Sequence, residues 1–286
     1  MANTIKSEVL RKSAPSGWRR PEGILKPLWY LWVWFSLILI LIYLKIFNHT
    51  RFEGLEHIPE DGPVLIVSNH ISDLDPALIP AAILIRYPTQ LARSVAKTEL
   101  KKVPMLGAFL QSYGSIFVNR TGRDLRGMRQ IIQAMRTGKV VLYPEGTRSM
   151  DGKLLPGKRT VGRLIHQAQP VVIPAAVWGT ILAIPPTSPW PRVGKDLGVR
   201  FGPPLDMEPL YALPPTKENS QQIIDHVMSA IGGLVEEVKA EGRVVEIGRE
   251  RDALRGSDLG ARVDRVTVDA HVREGVDEAG RQMRAF

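Results

Sequence analysis

A chain of 286 residues, 44% hydrophobic and 23% charged, holds enough apolar material for one domain of catalytic size with extensions, which excludes wholesale disorder. It has no cysteine, so disulfides, thiolate nucleophiles and sulfur-ligated metals are excluded too. A net charge of +9 and a pI near 9.8 favour anionic partners: phosphorylated substrates, acidic membranes or nucleic acid.

The charge is unevenly placed. The first 27 residues carry six basic and two acidic side chains, and residues 241–286 carry nine basic and ten acidic. Composition divides the chain into a basic arm over 1–27, a hydrophobic segment over 28–47, a main domain over 48–212, an amphipathic helix over 213–240 and a charged tail over 241–286. The tail lacks Trp and Tyr and periodicity, and is predicted to be mobile.

Residues 28–44 contain no charge. As a helix this run would measure about 25 Å, and with Ile46 and Phe47 it just reaches the roughly 30 Å of a bilayer core. Trp29, Tyr30, Trp32 and Trp34 cluster at its start, where an interfacial belt places aromatics. It lies too deep in the chain for an ordinary signal peptide. A soluble core helix rarely lacks a polar face over such a length, so a membrane-anchoring helix is expected. Removing residues 1–47 is expected to release a more soluble domain.

Short apolar runs follow at Val64–Ser68 and at residues 115–119, 140–143, 171–176 and 199–201, each predicted as a strand. Leu125, Met128, Ile131, Ile132 and Met135 fall at helical spacing before Gly138, which ends that helix. Ile223, Ile224, Val227, Ile231, Leu234 and Val238 trace another helix over residues 219–240. The alternation predicts an α/β domain, a mixed and mostly parallel sheet flanked by helices.

Three stretches sit where strands meet loops, the edge at which α/β sheets bind ligands. After Val64–Ser68 comes Asn69-His70-Ile71-Ser72-Asp73-Leu74-Asp75-Pro76. A histidine here can accept a hydroxyl proton near neutral pH, and a carboxylate five residues on can reach its other ring nitrogen. Asp75 before Pro76 also fits a helix N-cap followed by proline. No nucleophilic serine or cysteine stands beside the pair, which suits direct attack by a substrate hydroxyl. No second histidine lies at ligand spacing, so no metal is expected. The second stretch, Tyr143 to Ser149, offers Gly146 for close backbone approach to an anion and the Arg148 fork for phosphate oxygens. The third ends a strand at Asn119 and Arg120. Gly152 to Lys158 imitates a phosphate-binding loop, but Arg159 stands where Ser or Thr must ligate magnesium.

In this order the blocks resemble the lysophosphatidic acid acyltransferase family of glycerolipid acyltransferases. Asn69, His70, Ser72 and Asp75 match the first. Lys97, Glu99, Leu100, Pro104, Gly107 and Gly114 through Arg120 match the second. Pro144 through Ser149 match the third, and Val171 through Pro174 the fourth. The resemblance covers roughly residues 52–204, and four blocks in sequence are far more specific than one. It departs at Gly157, Lys158, Arg159 and Thr160, where many members carry an aromatic residue, two basic residues and a glycine.

The resemblance implies a His70–Asp75 dyad and an acceptor phosphate site of Arg120, Glu145, Gly146, Thr147 and Arg148. It implies acyl transfer from acyl-CoA or acyl carrier protein, as co-substrate, to a hydroxyl of 1-acyl-glycerol-3-phosphate, with no bound cofactor. Glycerol 3-phosphate, another lysophospholipid or a glycolipid are the alternative acceptors. A catalytically dead membrane protein of the same fold is countered by the intact His70 and Asp75. A nucleic-acid partner is set aside, because the basic residues form no such motif. The basic arm predicts a cytoplasmic N-terminus, and a full span would separate the domain from its thioesters. The expectation is a monotopic anchor on an anionic cell membrane, with the domain on the cytoplasmic face.

Overall fold

The computed structural model describes residues 25–119, 124–185 and 190–243. The basic arm before residue 25, Arg120 and the tail from residue 244 lie outside the described residues, and with them the expectations placed there.

The first helix, α1 (Leu25–Leu41), continues into a wide π turn, Ile42–Ile46. Pro27 sits in its first turn, where the missing N–H has no helical partner to lose. Together Lys26–Ile46 form a 21-residue helix of mean hydropathy 2.0, long and apolar enough to cross a membrane by length and composition. One side is not free. Trp29, Val33, Leu37 and Leu44 are buried, while Leu28, Leu31, Trp34, Phe35 and Ile38 are exposed. The docked side carries its own polar contacts: Ser36 Oγ meets the Tyr113 hydroxyl at 2.6 Å, and Trp29 Nε1 donates to the Ser112 carbonyl at 2.9 Å.

Among the described residues seven strands follow: β1 (His49–Glu53), β2 (Val64–Ser68), β3 (Ala92–Lys97), β4 (Ile116–Val118), β5 (Lys139–Leu142), β6 (Val171–Trp178) and β7 (Asp196–Phe201). They form one sheet in the order β1-β7-β6-β2-β5-β3-β4. Strands β2 to β6 are parallel, β7 is antiparallel to β6, and β1 runs parallel to β7. The mixed, mostly parallel sheet is the predicted one. Two of its strands carry no sequence signal of their own, because His49–Glu53 (HTRFE) and Ala92–Lys97 (ARSVAK) interleave charges with few apolar residues.

The helices are α2 (Asp75–Arg86), α3 (Leu106–Ser112), α4 (Leu125–Thr137), α5 (Arg159–Ala168), the single turns α6 (Thr180–Ala183) and α7 (Glu208–Tyr211), and α8 (Lys217–Ala240). Asp124 caps α4 by accepting from Gly127 N at 2.7 Å. Thr216 caps α8 by accepting from Asn219 N at 3.1 Å, so that helix starts two residues before its apolar stripe predicts. Helices α4, α5 and α8 cover one face of the sheet, where Leu65, Val67, Val140 and Leu142 meet Ile165 and Ile224. Alternation sends the neighbouring strand residues to the other face. There Ser94 shares a small cavity of about 20 Å³ with Leu37 of α1, Pro76 and Pro80 of α2 and Phe109 of α3.

This order positions the site. The chain leaves β2 through α2 toward β3 and leaves β5 through α5 toward β6, in opposite directions along the sheet. Right-handed crossovers then place α2 and α5 on opposite faces, and a crevice opens between the carboxyl ends of β2 and β5.

Candidate active site

His70 stands two residues beyond β2, in that crevice. Its Nδ1 lies 2.9 Å from Asp75 Oδ2, which leaves Nε2 for a substrate. Asp75 is fully buried. It is the first residue of α2 rather than its N-cap, a position held by Leu74. Its carboxylate reaches back instead, accepting from Ile71 N at 2.8 Å and Ser72 N at 2.9 Å. The other oxygen, Oδ1, accepts from Thr180 Oγ1 at 2.6 Å. Four donors thus surround one carboxylate, and the loop folds back as the His–Asp spacing requires.

The loop after β5 clamps this histidine from the other side. His70 N donates to Glu145 Oε1 at 2.8 Å, and Ser149 N donates to the His70 carbonyl at 2.7 Å. The Tyr143 ring stacks on the imidazole, with centroids 4.1 Å apart and planes 19° apart. Arg148 pairs with Asp73. Behind them Asn69 grips β6, donating to the Val177 carbonyl at 2.9 Å and accepting from Val177 N at 2.7 Å. Backbone and ring of His70 are therefore fixed by β2, β5 and β6 together.

The residues assigned by resemblance to an acceptor phosphate separate here. Thr147 is exposed, and Gly146 and Arg148 are half-buried beside it. Glu145 is buried and faces inward, where Oε2 accepts a second bond from Leu155 N at 3.1 Å. Burial pushes its carboxyl up to about 7, the two backbone N–H donors pull it down, and the charge of Asp75 raises it. Glu145 holds two loops together and presents no face to an anion. Gly146 has φ +71°, and a Cβ there would stand 2.6 Å from Lys158 Nζ. The missing side chain therefore admits the Lys158 ammonium against this turn. The Gly146 N–H donates to the Tyr143 carbonyl at 3.0 Å and is not free for an oxyanion. Arg120 lies outside the described residues. Sequence reasoning missed Thr180, which is 105 residues from Asp75 and carries no motif signal, and Lys158, which was visible only as a departure from the family pattern.

Deep to the dyad, Pro76 and Ala77 begin the wall of the cavity between α1, α2 and α3. Its lining is apolar except for Ser94, Ser115 and the Tyr113 hydroxyl, and the buried Ser94 hydroxyl has no hydrogen-bond partner in it.

A family model described as acyltransferase matches residues 49–178. The human 1-acyl-sn-glycerol-3-phosphate acyltransferase alpha is 33% identical over 144 residues, 48% of this chain and 49% of the relative. A 1-acyl-sn-glycerol-3-phosphate acyltransferase of Chlamydomonas reinhardtii is 30% identical over 182 residues, 62% of this chain and 50% of the relative. The chain spans about half the length of the curated relatives it matches. The crystal structure of the 1-acyl-sn-glycerophosphate (LPA) acyltransferase PlsC from Thermotoga maritima superposes with a TM-score of 0.56 at 27% identity, covering 72% of this chain and 80% of that one.

Proposed function

We propose, for a chain that belongs to the acyltransferase family through residues 49–178, that it moves an acyl group from a thioester to the free hydroxyl of 1-acyl-glycerol-3-phosphate, giving phosphatidic acid. The observation that carries this reading is the buried His70–Asp75 pair, 2.9 Å apart, with Nε2 turned to the crevice and cations on its rim. Similarity to relatives named for this reaction supports the acceptor.

The chemistry follows from the geometry. As the acceptor oxygen attacks the thioester carbonyl carbon, its proton passes to His70 Nε2. Asp75, held by Thr180 and the Ile71 and Ser72 N–H groups, keeps the Nδ1 proton in place and stabilises the imidazolium. The tetrahedral intermediate collapses with cleavage of the C–S bond. The sulfur leaves with the electron pair and takes the proton back from Nε2. The protein is never acylated, in keeping with an imidazole that, among the described residues, holds no side-chain hydroxyl by a hydrogen bond. Arg148 and Lys158 hold the phosphate at the rim.

The outward apolar side of α1 suits a bilayer. Its inward side is docked through Trp29, Val33 and Leu37, so lipid cannot surround it as it surrounds a lone span. This favours a monotopic anchor with the catalytic domain on the cytoplasmic face, where acyl-CoA and acyl carrier protein thioesters are found.

The test is acyl transfer by the purified full chain, with both thioester donors. The acceptors are lysophosphatidic acid, glycerol 3-phosphate, a lysophospholipid with a larger headgroup and unphosphorylated monoacylglycerol. Lysophosphatidic acid should be the best acceptor. Equal rates on monoacylglycerol would remove the phosphate site, and no transfer with any pair would remove the enzyme.

A further inference from the structure

The connection between β3 and α3 leaves the same sheet edge that carries His70, and it ends in an apolar tip. After the 3-10 turn Thr98–Lys102 come Val103, Pro104, Met105 and Leu106. Met105 has φ 60° and ψ −52°, and Leu106 N donates to the Pro104 carbonyl at 2.6 Å. That is a γ-turn of the rare hand, strained for any residue with a Cβ. Glycine relieves such strain, yet methionine stands here. Its side chain is 87% exposed, with Val103 at 44% and Leu106 at 40% beside it. A disfavoured backbone thus holds an apolar side chain out into solvent.

Its surroundings identify what it meets. Lys101 and Lys102 are exposed immediately before the tip, so cations stand at the base of an apolar point. That matches anionic headgroups above acyl chains. Helix α3 is seven residues long, about 10 Å. At its far end Ser112 accepts hydrogen bonds from Trp29 and Trp32 of α1, and the Phe109 ring meets Trp32 edge-on. The tip therefore stands one short helix away from the exposed apolar side of α1. Three side chains make too small a patch for a stable protein partner, which needs about 800 Å² on each side.

We propose that the tip at residues 103–106 is a second membrane contact, entering the boundary between headgroups and acyl chains of an anionic bilayer. With α1 it makes two points of attachment, which orient the His70 edge toward the lipid surface. This rests on the membrane reading above, and the measurement of depth in the bilayer needs no activity.

The cysteine-free sequence permits single labels in the full chain. A nitroxide is placed at Met105→Cys, at Leu31→Cys on the outer side of α1, and at Glu236→Cys on α8, across the sheet. Collision with oxygen and with a water-soluble nickel chelate is measured on vesicles of phosphatidylglycerol and phosphatidylcholine. The oxygen-to-nickel ratio should rise on binding at 105 and at 31 and stay unchanged at 236. Met105→Asp should weaken partition onto the vesicles by roughly tenfold, as expected for losing one buried apolar side chain. A label at 105 that stays as accessible to nickel as the one at 236, while 31 is shielded, overturns the tip and spares the anchor. Shielding at neither position overturns both. Acyl transfer to a short-chain, monomeric acceptor stays normal in Met105→Asp, and its loss would place Met105 in the active site instead.

Discussion

At the scale of single residues the site turns on one histidine and what holds it. His70→Ala is expected to lower turnover by about 10²–10⁴-fold, the usual worth of a general base, with thermal unfolding followed in parallel to establish that the fold is kept. Thr180 separates positioning from bulk. Thr180→Val keeps the volume but leaves the buried Asp75 Oδ1 without its donor, a loss on the order of 1–3 kcal/mol. Turnover should fall accordingly, by roughly tenfold or more, while Thr180→Ser retains it. Equal turnover in the two variants would show that the hydroxyl has no part in holding the dyad. Glu145 predicts a pH dependence. Its carboxyl is raised from 4.5 to about 7, so between these values the folded chain keeps a proton that the unfolded chain gives up. The stability this contributes is complete below about 4.5 and is lost as pH rises through 7. Denaturant unfolding across that window should show the decline, and Glu145→Gln should flatten it. The contact between His70 and Asp75 was legible in the sequence because both lie in one loop at a readable spacing. The sequence did not disclose Thr180, whose contact exists only because β6 lies beside β2. The resemblance put Glu145 at an acceptor phosphate, and a motif carries no information on which side of a turn faces inward; here its carboxylate accepts from the His70 and Leu155 N–H groups.

At the scale of elements, legibility followed apolar content. Val64–Ser68 was plain in the sequence because a central strand buried on both sides is a continuous apolar run. Strands β1 and β3 were not, since their pairing comes from β7 and β5, which are remote in sequence. Helix α5 was hidden behind a stretch that resembles a phosphate loop. Its packing depends on Gly162, where a Cβ would stand 1.9 Å from the Ser220 carbonyl of α8. Gly162→Ala must push the two helices apart, at a cost of about 1–3 kcal/mol. Gly233 lies in α8 with nothing within 4 Å of an added Cβ, so Gly233→Ala should stabilise the helix by roughly 0.5–1 kcal/mol. Opposite shifts in the urea midpoint are the expected outcome. A gain at both positions would mean that helix propensity, not contact, governs the pair.

For the whole molecule, the structure changes what removal of the hydrophobic segment should do. By sequence the segment is an appendage, and cutting at residue 47 should free a soluble domain. In the fold its inner side roofs the cavity, and the Ser36–Tyr113 and Trp29–Ser112 bonds tie it down. Truncation uncovers Pro80, Leu84 and Phe109 around that cavity. The shortened chain should therefore melt earlier than the full one and associate without detergent, as light scattering would register. A monodisperse product with unchanged unfolding would return α1 to the role of a passive tether. The crevice formed where β2 and β5 send their connections to opposite faces has a further consequence under the proposed reaction. A substrate arrives carrying one acyl chain and departs carrying two, while its donor departs with none. The first becomes less miscible with water and the second more so. A site on an edge open to both phases lets the two products separate by partition, one sideways into lipid and the other outward into solution. The forward direction is then favoured by where the products go as well as by the thioester that was broken.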